Sequence, residues 1–316
     1  MTEAVSGLPA AIDNLDAWIV WGLRQADADG RRMALELTVD GIPGPAVPII
    51  QALAERDSDP HCREAANQAL IREASRRETR KLLGKDLNFS PNGLKELLSI
   101  EDRTLRSAFL QTLKKAPPPE LLDQWRSHLL QENDPVMIQA GLSLLARFGT
   151  PSDADLANIF LVSADPLVFI AAMELLRLQN PFRLHEVLAP ALGKENLEIR
   201  FHALHCLRTL DPSMARLCLR ELLQSVEPLV RLRAARELSL LPFDQTEPIY
   251  LETLGREPLP LILVFLGIAV ALNPSPDLPL KLYDVCALAK GLRQKILQAI
   301  LYKTIETLQQ AGLLDQ

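Results

Sequence analysis

Acidic residues followed by proline recur along this chain at a near-constant step: Asp59-Pro60, Asp134-Pro135, Asp165-Pro166, Glu227-Pro228 and Glu257-Pro258. The steps are 31 from 134 to 165, 62 from 165 to 227 and 30 from 227 to 257. Asn196-Leu197 fills the skipped midpoint, and Asp102 and Asp27 each precede an anchor by 32. Only the interval from 59 to 102 is long. A period in this range means one supersecondary unit per copy, which buries its apolar face only by stacking on the next.

Columns follow the anchors. Leu70, Leu113, Leu145, Leu176, Leu207, Leu238 and Ile268 stand eleven residues on. Seven residues on, most side chains are small: Ala34, Ala66, Gly141, Ala172, Ala203 and Ala234, with Phe109 and Val264 as exceptions. Four residues on lie Arg31, Arg63, Arg106, Arg200 and Arg231. The anchor predicts a helix start: the acidic or Asn side chain accepts from free backbone N–H groups, and Pro takes the first helical position at no hydrogen-bond cost. Positions +3, +7 and +11 share one stripe. A second amphipathic stretch precedes each anchor: 13–25, 46–55, 94–100, 119–130, 153–162, 181–192, 214–223 and 248–254. A last pair covers 278–289 and 292–310. Each repeat therefore reads as two antiparallel helices.

The pattern resembles the HEAT repeat family, in its bacterial bilin-lyase-like form. Ser58-Asp59-Pro60-His61-Cys62-Arg63-Glu64-Ala65-Ala66 and Glu227-Pro228-Leu229-Val230-Arg231-Leu232-Arg233-Ala234-Ala235 carry the likeness best. Ile138, Phe169 and Leu261 depart from it where Arg is expected. The resemblance implies an all-α fold: a right-handed α-solenoid of about nine hairpins. Residues 1–316 are then a single domain with a basic insertion at about 72–90. Tetratricopeptide repeats fit less well, because they need period 34 and a Trp/Gly/Tyr signature.

Composition agrees. Apolar residues make up 48% of the chain and aromatics only 5%, while Pro (23) outnumbers Gly (14), as expected for many short helices at close approach. No apolar run reaches the roughly 18 residues of a membrane span, so no membrane insertion is expected. The longest, Leu259–Leu272, contains Pro260. No secretory signal is visible at the N-terminus. The four cysteines lack CxxC spacing, which points to a reducing, cytoplasmic setting. A net charge of −6 argues against general nucleic-acid binding.

Chemistry-bearing motifs are sparse. His202 and His205 share a helix with Cys206, and such spacing can place two ligands on one metal. However, His205 falls at an outward polar position, Cys206 replaces a core leucine, and no third ligand is evident. No metal or cofactor is therefore expected. HEAT-type deoxyhypusine hydroxylases carry several His-Glu pairs, whereas His185-Glu186 stands alone here. No nucleophilic triad or phosphate-cradling Gly loop emerges, so the reading is non-catalytic.

Two surfaces stand out. Arg72, Arg76 and Arg80 share a helix face, with Arg77 and Lys81 beside them; residues 61–115 hold 12 basic against 7 acidic side chains. That stretch suits an acidic or phosphate ligand. The second is the +5 column, polar in early repeats and apolar later: Ile170, Phe201, Leu232 and Ile262. At 100° per residue it leans away from the core stripe, towards a concave interaction groove. The expected function is a scaffold or adaptor binding another protein of unknown identity. The alternatives are a bilin-lyase-like chromophore-attachment factor or ligand binding through 72–85.

Overall fold

The computed structural model describes residues 9, 11–82, 116–273 and 275–313, with the side chains of 75 and 78–82 left aside. Its described residues are helical with no strand: α1 (Leu15–Leu23), α2 (Ala28–Glu36), α3 (Val47–Arg56), α4 (Pro60–Leu82), α5 (Pro119–Leu129), α6 (Pro135–Phe148), α7 (Ala154–Phe160), α8 (Pro166–Gln179), α9 (Pro181–Leu192), α10 (Leu197–Leu210), α11 (Pro212–Leu222), α12 (Pro228–Leu238), α13 (Phe243–Arg256), α14 (Pro260–Leu272), α15 (Leu278–Ala287) and α16 (Gly291–Gln310). None is long and apolar enough to cross a membrane. The segment expected as a helix at 94–100 lies outside the described residues. Pro248 sits inside α13 and does not open it.

The anchors cap their helices as the periodicity requires, except Glu227, whose side chain makes no capping bond. Asp27 accepts from Gly30 N at 2.6 Å, Asp134 from Val136 N at 3.1 Å, Asp165 from Leu167 N at 2.9 Å and Asn196 from Ile199 N at 3.1 Å. Each satisfies a backbone donor that the first helical turn leaves without a partner. The +7 column is where helices close up. Ala34, Ala66, Ala172, Ala203 and Ala234 are fully buried. A methyl group added to Gly141 would come within 2.6 Å of Leu129 and closer still to the Trp125 indole, so α5 and α6 pack together through its missing side chain.

A further contact recurs at five of the described hinges. The backbone N–H of the anchor donates to a side-chain oxygen two residues earlier: Asp59 to Asp57 (2.9 Å), Asp134 to Glu132 (2.9 Å), Asp165 to Ser163 (3.1 Å) and Glu227 to Ser225 (3.2 Å). Leu259 makes the same bond to Glu257 at 3.0 Å. The last anchor is therefore Leu259-Pro260 and not Glu257-Pro258. Pro260 opens α14, and Glu257 plays the hinge acceptor. This correction moves the +11 position from Ile268, which is half-buried, to Val270, which is fully buried.

The +4 arginines complete the joint. Arg31 Nη1 donates to the carbonyls of Gln25 and Ala26, and its Nε and Nη2 grip Asp57, both at 2.7 Å. Arg231 repeats this on Ser225 and Val226 and grips Glu257 at 2.8 and 3.1 Å. Arg63 reaches the carbonyls of Asp57 and Ser58. One guanidinium thus satisfies the loop before its own helix and holds the acceptor of the next hinge. Where Ile138 and Phe169 replace Arg, they join the core; so does Leu263, which takes that place in the last repeat once the anchor is Leu259, in place of Leu261. Lys194, two residues before Asn196, sits 5.4 Å above the Phe169 ring, so a cation–π contact stands where the Arg–carboxylate pair would be.

Where the sequence suggests one domain, the chain divides into two compact units: Met1–Ile71 with Pro212–Gln316, and Arg72–Asp211. In the second unit the stacking follows chain order: α6 packs on α8, α8 on α10, and the first helices α5, α7 and α9 flank them. In the first unit α1 and α2 pack on α14, and α2 also on α12. Arg233 binds Glu36 with two bonds of 2.9 and 3.0 Å, Arg236 binds Asp40 at 2.9 and 2.8 Å, and Lys303 pairs with Asp13 at 3.0 Å. Nearest-neighbour stacking alone does not bring these partners together.

Candidate functional site

The +5 ladder does not form an exposed groove. Leu232 and Ile262 are 1% and 0% exposed, Phe201 is 8% exposed, and Ile170 is half-buried. For Leu232 and Ile262 the cause is the packing of α2 on α12 and of α1 and α2 on α14. With Leu259 as the anchor, Ile262 is moreover a +3 residue on the core stripe. For Ile170 the cause lies in the number of neighbours. Its helix α8 packs on α6, α7, α9 and α10, so the buried arc is wider than one stripe measured from a single core direction.

The basic segment is partly neutralised from within. Arg76 and Arg77 both turn to Glu73 on their own helix, at 3.5 and 3.3 Å. The Arg72 side chain is half-buried, and those of Arg80 and Lys81 lie outside the described residues. A shallow cleft beside Arg126 is likewise committed: its guanidinium binds Asp153 at 2.6 and 2.8 Å and Asp123 at 2.6 Å.

Among the apolar side chains that reach solvent, two close pairs lie on first helices. On α11 they are Met214 and Leu217, three residues apart, and on α15 they are Leu280 and Tyr283, again three apart and 74% and 64% exposed. These pairs share a helix face. Phe182, at the start of α9, is also exposed.

One polar cluster gathers chemistry that the sequence left scattered. Glu174 on α8 and His202 and Cys206 on α10 each offer a ligand atom, and these atoms lie within 4.8 Å of one another. Among the described residues this is the only group of three metal-ligating side chains brought together. His202 and Cys206 are one helical turn apart and so face the same way. Cys206 is fully buried, whereas Glu174 and His202 are half-buried. His202 Nε2 stands 3.7 Å from Glu174 Oε2.

The surroundings act on the Glu174 carboxyl. Arg177 grips Glu174 with two bonds of 2.8 and 2.6 Å. Burial pushes the Glu174 carboxyl up, but Arg177, then His202 and His205, more than offset it, and the net direction is downward. His205 stacks on His202, with ring centres 6.1 Å apart. Arg208 Nη2 lies 3.1 Å from His205 Nδ1, and since arginine only donates, that nitrogen presents its lone pair.

His205, paired with His202 in the sequence reading, is therefore not in the trio. The missing third group, Glu174, holds in its own repeat the +9 place, the outward polar position, that His205 holds in the next. Consecutive repeats held the signal. At +6, +9 and +10 the repeats read Ala140, Ser143, Leu144; Ala171, Glu174, Leu175; and His202, His205, Cys206. The +9 residue of one repeat lies beside +6 and +10 of the next. Comparison with protein-family models and with curated proteins matches this chain to none.

Proposed function

We propose that this protein is a non-catalytic scaffold of HEAT-like repeats, a right-handed α-solenoid that binds a partner protein in the cytoplasm. The observation that carries this reading is the recurring hinge, in which the same N–H to side-chain bond closes at Asp59, Asp134, Asp165, Glu227 and Leu259. Such joints hold many short helices in fixed register, which suits an extended binding surface better than an enclosed reaction chamber. The exposed pairs Met214/Leu217 and Leu280/Tyr283 supply apolar anchors on helices that are otherwise polar outside. Three of the cysteines are buried and none forms a disulfide, in keeping with a reducing compartment.

A photo-crosslinking residue placed at 217 or 283 tests the reading. The expected result is one specific crosslinked protein at both positions. That product should vanish when Met214→Asp is added to the position-217 probe or Leu280→Asp to the position-283 probe, with helicity retained. No crosslinked species at either position removes the reading.

A further inference from the structure

We propose that Glu174, His202 and Cys206 form a binding site for a divalent cation of the Zn2+ class, with three protein ligands and a fourth position left to water. The donor set decides the class. One thiolate, one imidazole and one carboxylate suit Zn2+ and exclude Mg2+ and Ca2+, which want oxygen ligands only. Zn–N and Zn–O bonds of about 2.0–2.1 Å at a tetrahedral angle place two ligands about 3.3–3.5 Å apart. His202 Nε2 and Glu174 Oε2 stand 3.7 Å apart, close to that separation and beyond a good hydrogen bond. All three ligand atoms lie within 4.8 Å of one another, so side-chain movements of about an ångström close the set.

Arg177 does not preclude binding. Each carboxylate oxygen has two lone pairs, and the guanidinium uses one on each, leaving Oε2 able to coordinate. Arg177 then becomes the outer-shell partner that orients Glu174, as metal-ligating carboxylates commonly require. Charge balances: Glu174 and a Cys206 thiolate bring −2 against the cation's +2, and His202 coordinates as neutral imidazole. Binding breaks the Cys206 S–H bond, forms a sulfur–metal bond and releases one proton to water. The site also sits where the repeat breaks its own rule, since Ala and Leu at +6 and +10 in the two preceding repeats become His202 and Cys206.

Titrating the metal-stripped full chain with Co2+ alone tests the site. The expected result is one Co2+ per chain, a thiolate-to-cobalt charge-transfer band in the near ultraviolet, release of one proton, and displacement by Zn2+. The band should vanish in Cys206→Ser and persist in Cys218→Ser. His202→Gln and Glu174→Gln should weaken Co2+ binding by more than the roughly 10–100-fold that loss of an outer-shell partner costs. These two half-buried positions keep the test decisive should Cys206→Ser fail to fold. Absence of the band, its survival in Cys206→Ser, or unchanged affinity in both His202→Gln and Glu174→Gln would overturn the proposal.

Discussion

In the unit Arg72–Asp211 the second helices α6, α8 and α10 stack in chain order, each on the next. In the other unit Glu36 meets Arg233 across 197 positions, and α1 packs on α14. The hairpin is the same in both; what differs is the distance along the chain over which partners must find one another. Sequential stacking can be read locally and lost locally. Closure between distant segments makes α1 and α2 depend on helices synthesised last, and ordering that long loop costs entropy before any contact forms.

The largest expected effect comes from removing α16 (Gly291–Gln310). Ile296, Leu297 and Ile300 leave the core, and Gly267, where an added methyl would clash with Ile300, loses its covering. Hydrogen exchange should then show loss of protection in α14 and in α1 and α2, which pack on it, with α6, α8 and α10 still protected. Equal loss in both units would erase the distinction between them.

Next comes the hinge pair. Arg31→Met leaves Asp57 buried without its guanidinium, which should cost about 3–5 kcal/mol in urea denaturation. The equivalent contact of the other unit, Lys194 over Phe169, should cost about 0.5–1 kcal/mol when Lys194 becomes Ala. Similar losses at the two positions would show that the Arg pair is not what sets the first unit's hinges apart.

Acid should reveal the same pair. Arg31 beside Asp57 holds that carboxyl below its ordinary 3.8, against the opposing push of burial. A depressed folded pKa contributes stability above the unfolded value, and the contribution is lost as pH falls through the folded value. The loss therefore runs downward from about pH 4. Asp57→Asn should lower stability at pH 7 and flatten this limb in pH-resolved melting; an unchanged limb would assign acid sensitivity elsewhere.

The smallest effect is expected at the rim of the closure. A double-mutant cycle on Arg236 and Asp40, whose carboxylate is 81% exposed, should give about 0–1 kcal/mol and fade with salt. Arg233 with Glu36, both near one-fifth exposed, should couple more strongly. The reverse order would place the clasp at the surface.

The hairpins were legible in the sequence because anchor, small residue and leucine recur, and repetition turns weak propensities into a register. The 181–192 stretch matches α9 residue for residue. Closure was not legible, since Glu36 and Arg233 are single charges with no periodic trace of their pairing. The error at 257 has a similar source: Glu257-Pro258 imitates an anchor locally, and only the bond from Leu259 N identifies it as a hinge acceptor. The +5 ladder misled because a helical-wheel angle assumes one core direction, whereas these helices meet neighbours on several sides. Glu174 needed two repeats to be laid side by side, which no single motif does.

The shared use of one arginine by two hinges has a consequence for how such a chain can lengthen or shorten. Arg31 belongs to one hairpin by its carbonyl bonds and to the next by its grip on Asp57; Arg231 and Glu257 repeat the arrangement. A copied or deleted segment that begins at an anchor and ends just before the next carries its own arginine and meets a ready-made carboxylate. A segment cut at any other point leaves a guanidinium facing the wrong loop. Gene duplication is thereby channelled into whole-hairpin steps, and half-steps are penalised at the joint itself.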